Sequence, residues 1–343
     1  MAETMKAAVV HEFGQPLRIE EVPIPAPGPG EVLIKVMANG ICHTDLHTVN
    51  GDWGSIKPTL PRIPGHEGAG VVAAVGPGVK EFKEGDRAGV AWLHDACGWC
   101  EYCRTGWDAL CRSQRNTGFS VDGSFAEYVI GSAPYVGRLP DHVDFPAMAP
   151  MLCAGVTTYK AIKETEAKPG EWLVISGVGG LGQLGVEYAK AMGLLVAAVD
   201  VTEDKLALAR ASGADVTVNA KAPDAAAQIV KATDGGGHGV LVTAVVPSAF
   251  RQALDMVRRR GTLTLVGLPP GDFPIPIVDV VLNRITLRGS IVGGRQDLAE
   301  AIEFAGRGKV HSHYHEVKLG QVNQVFSDMK AGKLDGRMVI TSF

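Results

Sequence analysis

The sequence predicts an α/β protein in which an antiparallel, barrel-like β domain is followed by a doubly wound parallel sheet. From residue 5 to about residue 150, short apolar strands are separated by Gly and Pro, a spacing typical of antiparallel β structure. Near Cys153 the pattern changes to buried strands that alternate with helices, which indicates a parallel sheet. The 343 residues suffice for two domains of ordinary size, each with its own core.

The predicted elements follow from this patterning in chain order. In the first part, turns at 23–30 and 77–78 separate predicted strands at 6–10, 31–37 and 70–75. In the second part, the predicted strands are 172–176, 195–199, 216–219, 240–243, 262–266 and 286–290. The predicted helices are 180–192, 203–212, 224–233, 248–258 and 296–304. We interpret Arg258, Arg259 and Arg260 as a helix C-terminus that complements the helix dipole.

Charge and hydropathy argue against several classes of partner. A formal net charge of −4 and a pI near 6.2 predict no general attraction to nucleic acid or to an anionic membrane. The N-terminus has no apolar signal core, and the longest apolar stretches are interrupted by Lys, Glu and Asp, so we expect no transmembrane helix. We therefore expect a cytoplasmic protein, in which cysteines favour metal binding over disulfides.

Four of the 6 cysteines lie in one run with the spacing C-x2-C-x2-C-x7-C, namely Cys97, Cys100, Cys103 and Cys111. Four thiolates so close together suit a structural zinc ion. Disulfides are an alternative that a cytoplasmic chain disfavours. A bacterial iron–sulfur motif opens in the same way, but it has a shorter last gap and a following Pro, where this chain has Arg112. We predict a structural zinc site.

The other two cysteines, Cys42 and Cys153, predict a second zinc site together with His66. Two thiolates and a neutral imidazole leave zinc without net charge and with an open fourth position, which suits catalysis. We expect Asp45 to accept the second ring N–H of His66, and Glu67 to lie behind the metal as an outer-sphere charge or transient ligand. Taken singly, these residues would be ordinary buried thiols and a turn histidine. The neighbouring motifs favour the metal.

A glycine-rich loop that opens a helix directly follows the predicted strand 172–176; it consists of Gly177, Val178, Gly179, Gly180, Leu181 and Gly182. In this context GxGxxG indicates a dinucleotide whose pyrophosphate lies at the helix N-terminus. Asp200 ends the next strand, where a carboxylate binds the adenosine ribose and repels a 2′-phosphate, which favours NAD over NADP. We expect Lys205 to contact the same ribose. The alternative is that the glycines only pack helix against strand.

Together these motifs resemble the zinc-containing medium-chain alcohol dehydrogenases, in particular the bacterial and yeast ethanol-type branch, over essentially the whole chain. Gly65-His66-Glu67, the four-cysteine run and the glycine-rich loop carry the resemblance. It implies a GroES-like β-barrel catalytic domain with both zinc sites at 1–154, an NAD-binding Rossmann domain at 155–292, and a C-terminal return to the first domain at 293–343. It also implies a homotetramer.

The resemblance implies roles for further residues. Thr44 corresponds to the hydroxyl that takes the substrate proton, and His47 to the base that relays it to solvent. The residues that correspond to cofactor contacts are His43 and Arg337 at the pyrophosphate, Thr157 and Val178 beside the nicotinamide, and Val266, Leu268 and Val292 near its carboxamide. Trp53 and Trp92 correspond to walls of the substrate pocket. Gly294 and Val246 depart from close relatives, which usually have Thr and a small polar residue there.

The implied activity is zinc- and NAD-dependent interconversion of small primary alcohols and aldehydes, by hydride transfer from an alcohol whose oxygen zinc polarises. A polyol or aromatic-alcohol dehydrogenase is an alternative, although polyol enzymes usually have Glu where this chain has Cys153. A non-catalytic regulator that binds NAD and zinc is an alternative of a different class. Thr44 and His47 argue against it, because a regulator does not need a proton relay.

Two smaller features have ordinary interpretations. His311, His313 and His315 alternate, so a strand would place them on one face, where they could bind a transition metal. We favour a solvated strand edge for them. Trp99 and Trp107 lie within the four-cysteine run, and we expect them to pack its interior.

Overall fold

The computed structural model describes residues 3–54 and 56–343, which form two compact units. The first unit contains the described residues up to Cys153 together with Gly293–Gly306 and Ser312–Phe343. The second contains Ala154–Val292 and Arg307–His311. Within the described ranges, every helix is too short or too polar to cross a membrane.

The strands of the described residues are, in chain order, β1 (Thr4–Val9), β2 (Arg18–Pro23), β3 (Glu31–Ile41), β4 (Gly68–Val75), β5 (Arg87–Gly89), β6 (Leu93–Asp95), β7 (Arg115–Asn116), β8 (Tyr128–Ser132), β9 (Gly137–Arg138), β10 (Trp172–Ser176), β11 (Leu195–Asp200), β12 (Val216–Asn219), β13 (Gly237–Val242), β14 (Val257–Leu265), β15 (Thr286–Gly289), β16 (Tyr314–Lys318) and β17 (Arg337–Ser342).

The α-helices are α1 (His43–Asn50), α2 (Glu101–Arg104), α3 (Phe145–Met148), α4 (Ala154–Glu164), α5 (Gly180–Ala191), α6 (Glu203–Ala211), α7 (Ala225–Ala232), α8 (Pro247–Leu254), α9 (Ile277–Asn283), α10 (Arg295–Gly306) and α11 (Val322–Lys330). Short 3₁₀ turns lie at Asp108–Leu110, Ala133–Tyr135, Ala149–Leu152 and Leu319–Gln321.

The first unit is built on a sheet in the order β16-β17-β3-β4-β5-β9, and β8 pairs with β3 as well. Only β16 and β17 run parallel among these pairs. Along β3, Val32, Ile34 and Val36 point to the same face and are buried in one hydrophobic cluster. The long central strand β3 therefore carries the chain from this core directly to Cys42.

The second unit contains a six-stranded parallel sheet in the order β12-β11-β10-β13-β14-β15. The strand order reverses beside β10, so the crevice at its carboxyl end is where an open α/β sheet binds ligands. The glycine-rich loop leaves β10 at this point. The predicted α/β fold class is confirmed.

The interpretation of Arg258, Arg259 and Arg260 as a helix end is wrong. Helix α8 ends at Leu254, and the three arginines lie within β14. The pairing of β13 with β14 shifts register at this place, and Arg260 has a φ of 64°, so the strand carries a local irregularity. Three successive charged residues have neither the period of a helix nor that of a strand, so the run predicts neither element.

Candidate functional site

One buried carboxylate, that of Asp45, holds together two segments that meet at the predicted catalytic centre. Its Oδ2 accepts the Cys42 N–H at 2.9 Å, where Cys42 begins helix α1. Its Oδ1 accepts the Gly65 N–H at 3.1 Å and lies 2.8 Å from Nδ1 of His66. Asp45 thereby fixes the ring and the tautomer of His66, so that Nε2 is left to bind a metal.

The ligand atoms of this centre lie at separations that suit zinc. Nε2 of His66 is 3.2 Å from Sγ of Cys153, and Sγ of Cys42 is 4.0 Å from Sγ of Cys153. Around a tetrahedral zinc ion, such atoms are about 3.5–3.8 Å apart. A carboxylate oxygen of Glu67 completes a group whose ligand atoms all lie within 4.8 Å of one another. The donor set therefore fits zinc.

Gly65 is required by the backbone that brings His66 to the centre. Its φ is +97°, which an L-residue with a side chain adopts only with strain. A Cβ at this position would also lie 2.6 Å from the backbone nitrogen of Phe125. Gly65 thus permits the close crossing of two segments that positions the imidazole.

The charges of the centre favour a bound cation. A hydrogen bond from Cys153 lowers the pKa of the Cys42 thiol well below its ordinary value, and burial opposes this. That same interaction with Cys42, together with burial, raises the pKa of Cys153. Burial acts to lower the pKa of His66, but Asp45 and Cys42 outweigh it and raise the value. A metal ion would replace these protons and hold both sulfurs as thiolates.

Behind the ligands, Glu67 and Arg337 form a buried ion pair, with Nη2 of Arg337 donating to Oε1 of Glu67. Burial raises the pKa of Glu67 to about 7, although Arg337 acts in the opposite direction. Among the described residues, neither Oε2 of Glu67 nor Nε of Arg337 has a hydrogen-bond partner. Glu67 thus lies behind the predicted metal, and Arg337 has a buried partner besides the pyrophosphate proposed for it.

The predicted relay and pocket residues lie beside this centre in the first unit. Nδ1 of His47 is 2.8 Å from Oδ2 of Asp52, and the two side chains are 32% and 42% exposed, so the pair contacts solvent. The ring of Trp92 is 5.3 Å from that of His66, in an edge-to-face arrangement. Trp53 is 6.2 Å from Trp92 and 5.9 Å from His47. The two indoles therefore lie between His66, the predicted metal ligand, and His47, the predicted relay residue.

The four clustered cysteines form a second compact donor set. Sγ of Cys103 is 3.9 Å from Sγ of Cys97 and 3.5 Å from Sγ of Cys100, close to the roughly 3.8 Å expected around zinc. Burial opposes ionisation of Cys97, but the backbone N–H groups of Trp99 and Cys100 outweigh it and lower its pKa to about 7. All four sulfur atoms, including that of Cys111, lie within 4.8 Å of one another. This set also fits zinc.

The expectation that Trp99 and Trp107 pack the interior of the cysteine lobe is wrong. Trp99 is 54% exposed and Trp107 is 41% exposed. A lobe of this size has little apolar interior, and a metal held by four thiolates substitutes for it. The lobe contacts the rest of its unit through Asp108, whose buried carboxylate lies 3.3 Å from Nη2 of Arg295 at the start of α10.

The dinucleotide candidates assemble at the end of β10. Gly177 has a φ of +99°, and a Cβ on Gly182 would lie 1.9 Å from the carbonyl oxygen of Gly177, so both must be glycine. Oδ2 of Asp200 accepts the Val178 N–H at 2.7 Å, which links the loop to the end of β11. Nζ of Lys205 lies 3.9 Å from Oδ1 of Asp200. The carboxylate keeps acceptor capacity for a hydroxyl.

The remaining cofactor candidates differ in accessibility. Val178 is fully buried and its backbone N–H donates to Asp200, and its place beside the nicotinamide stays a prediction. Leu268 is 70% exposed. Gly179 precedes α5, and Gly180 and Leu181 begin it. Val266 is half-buried after β14, Val292 has a φ of 36°, and Thr157 is buried in α4. His43 and Thr44 begin α1.

Comparison with known proteins accounts for both units. The model of the alcohol dehydrogenase GroES-like domain matches residues 28–141, and that of the zinc-binding dehydrogenase domain matches residues 180–307. An alcohol dehydrogenase of Rhizobium meliloti (strain 1021) is 59% identical over 337 residues, which cover 98% of each chain. The chain belongs to the zinc-containing medium-chain alcohol dehydrogenase family.

Solved structures of the family have the same fold. An alcohol dehydrogenase from Aeropyrum pernix matches with a TM-score of 0.89 and 34% identity, over 98% of this chain and 99% of that one. An acetophenone reductase from Geotrichum candidum in complex with NAD matches with a TM-score of 0.86 and 30% identity, over 100% and 98%.

In this member of the alcohol dehydrogenase family, two residues near the centre, Asp52 and Phe119, and one buried ion pair were not predicted from the sequence. Asp52 lies beside His47 and orients its ring. The only feature of the sequence that could have indicated this is that Asp52 follows the helix that contains His47. Phe119 lies 5.5 Å from Trp53 and 5.8 Å from Trp92, measured between ring centroids, and so extends the aromatic cluster. No spacing rule connects Phe119 with the tryptophans. The pairing of Glu67 with Arg337 joins residues 270 positions apart, which a sequence pattern does not reveal.

Proposed function

We propose that the chain is an NAD-dependent dehydrogenase that interconverts small primary alcohols and aldehydes and holds two zinc ions, one catalytic and one structural. The observation that carries the proposal is the convergence of Cys42, Cys153 and His66, with Asp45 hydrogen-bonded to the far side of the imidazole. A structural site would need four protein ligands, but Glu67, the fourth donor of this group, is paired with Arg337. A catalytic site keeps one position for substrate.

The protein's own groups position the substrate and move its proton. When bound, zinc supplies a Lewis acid for the alcohol oxygen, and NAD supplies the hydride acceptor. The hydroxyl of Thr44, at the start of α1, takes the alcohol proton, and His47 passes it to water. Trp53, Trp92 and Phe119 exclude water from the reacting carbon, which protects the hydride transfer.

His47→Gln should slow alcohol oxidation by roughly 10²-fold at neutral pH, the usual effect of losing a general acid–base group. The loss should shrink at high pH, where hydroxide replaces the imidazole as proton acceptor. Profiles of kcat/KM against pH for the wild type and the variant provide the measurement. Asp52→Asn is the matched control, because it keeps the imidazole and should cause a smaller loss. An equal loss across the pH range would instead assign His47 to cofactor binding.

The preference for NAD is supported by Asp200, whose charge opposes a 2′-phosphate, and by the NAD in the related acetophenone reductase. Asp200→Ser should raise the KM for NAD by about 10-fold or more, because charge-assisted hydrogen bonds are lost. It should also admit NADP. Asp204→Ser, at an exposed position of α6, should change neither value. Equal use of NADP by the unmodified enzyme would contradict the role of Asp200.

The substrate class is supported by the aromatic cluster beside His66, which places large rings next to the predicted metal. Trp53→Ala and Trp92→Ala should raise kcat/KM for butanol, propan-2-ol and benzyl alcohol relative to ethanol, since each deletion enlarges the pocket. Trp99→Ala removes a largely exposed indole of the same type and should leave the order unchanged. The same order of substrates in all three variants would remove the tryptophans from the pocket.

Formation of NADH from ethanol and NAD, followed by ultraviolet absorbance, tests the activity itself. Loss of the signal with a chelator and its return with zinc are expected. NAD and zinc binding without turnover of any alcohol in the panel would favour a regulator instead. We further propose a cytoplasmic homotetramer, on the family resemblance, and light scattering in solution tests the assembly.

A further inference from the structure

The starts of β16 and β17, with the residues just before them, carry a third group of metal-ligand side chains, built from two histidines and one aspartate. The two strands are parallel, with Tyr314 opposite Arg337, so the residues just before them lie side by side. His313 and His315 flank Tyr314 and share one face of the strand. Asp335 stands two residues before Arg337. The strand register therefore adds a carboxylate to the two histidines.

The atoms of this group are close enough for one ion. Nε2 of His313 lies 3.6 Å from Oδ2 of Asp335. The rings of His313 and His315 have centroids 5.2 Å apart and an interplanar angle of 81°. One ligand atom from each of the three residues lies within 4.8 Å of the others. Nitrogen and oxygen ligands of zinc are about 3.4 Å apart, so small rotations of exposed side chains complete the geometry.

We propose that His313, His315 and Asp335 form a surface site for a divalent transition-metal ion such as zinc, separate from the two thiolate sites. Two imidazoles and a carboxylate suit zinc, nickel or copper, whereas magnesium and calcium prefer oxygen ligands. Three protein ligands leave the other positions of the ion to water. All three residues are exposed, so an ion reaches them directly from solvent.

An ion at this site joins the start of β17 to the start of β16. The Arg337 N–H already donates to the His313 carbonyl oxygen at 2.9 Å, so the backbone on both sides of the site is ordered. The next side chain along β17 is that of Arg337, which pairs with Glu67 behind the predicted catalytic centre. The bound ion thus stabilises β17, the strand that begins with this arginine.

Metal counting on the zinc-loaded protein tests the site. The protein is dialysed against zinc buffered at micromolar free concentration, and bound zinc is counted per chain. The wild type should hold one zinc ion more than His313→Asn, His315→Asn and Asp335→Asn. His311→Asn is the matched control, because His311 belongs to the same run but its Nδ1 lies 3.3 Å from Glu187. This control should hold as much zinc as the wild type.

The test uses the difference in bound zinc between the wild type and each ligand variant, so it does not depend on how many ions the thiolate sites contain. Thermal unfolding provides a second measurement, in which added zinc should raise the melting temperature of the wild type by about 2 °C or more above the rise seen for Asp335→Asn. Equal zinc content in the wild type and the three ligand variants would overturn the proposal. So would an equal thermal shift in the wild type and Asp335→Asn.

Discussion

Cys153→Ala is expected to abolish alcohol oxidation and to remove one zinc ion per chain while the fold is retained. In the proposed catalytic centre, Cys153 would supply one of the two thiolates, and its Sγ lies 3.2 Å from Nε2 of His66. Without it the metal lacks a ligand, and the Lewis-acid contribution of several kcal/mol is lost. Since about 1.4 kcal/mol corresponds to a tenfold rate change, kcat/KM should fall about 10³-fold or more.

Cys103→Ala is the matched variant in the cysteine lobe. It should also remove one zinc ion, but its main effect should be a lower melting temperature, because metal binding at a structural site contributes folding free energy. Metal analysis, circular dichroism and steady-state kinetics on both variants distinguish the two sites. Retained turnover in Cys153→Ala would contradict the catalytic assignment. A single zinc in the wild type, or iron with acid-labile sulfide, would contradict the metal content.

Arg337→Met is expected to lower the free energy of unfolding by about 3–5 kcal/mol, because it leaves the carboxylate of Glu67 buried without its cation. Both side chains are almost fully buried, at 7% and 0% exposure, so water cannot replace the lost partner. The double variant Glu67→Gln, Arg337→Met removes both charges and should recover a substantial part of the loss. Denaturant unfolding of the zinc-loaded proteins provides the measurement.

Arg251→Met is the control for this experiment, since Arg251 pairs with Asp255 at a partly exposed position of α8. Exposed pairs one turn apart on a helix are worth well under about 1 kcal/mol, so this variant should unfold almost like the wild type. If Arg337→Met were no less stable than Arg251→Met, the buried pair would have no net structural role.

The features that could be predicted from the sequence are those encoded by patterns within a short segment of the chain. The cysteine lobe follows from spacing within a short segment, because a flexible loop can wrap four thiolates around one ion whatever the rest of the fold does. The parallel sheet and its glycine-rich loop follow from the alternation of apolar strands and helices, because each strand and the helix after it pack by the same rules.

Contacts between distant segments were not predictable in the same way. Glu67, just before β4, meets Arg337 because β3 lies between β4 and β17, and His313 meets Asp335 because β17 also pairs with β16. That pairing depends on the whole sheet, and no spacing along the chain encodes it. The prediction of a helix end at the arginines of β14 was wrong for a related reason. A charged segment without a hydrophobic period takes its conformation from the strand that it joins.

The carboxylate of Asp45 bears on how the proposed catalytic centre would take up its metal. Its three hydrogen bonds, to Cys42, Gly65 and the ring of His66, belong to the protein and involve no metal. The backbone of Cys42 and the ring of His66 are therefore held by protein groups, so a metal at the proposed site would displace protons without rearranging these two ligands. Such a site selects its ion by ligand type and angle, so that a tetrahedral substitute such as cobalt can occupy it without refolding the chain.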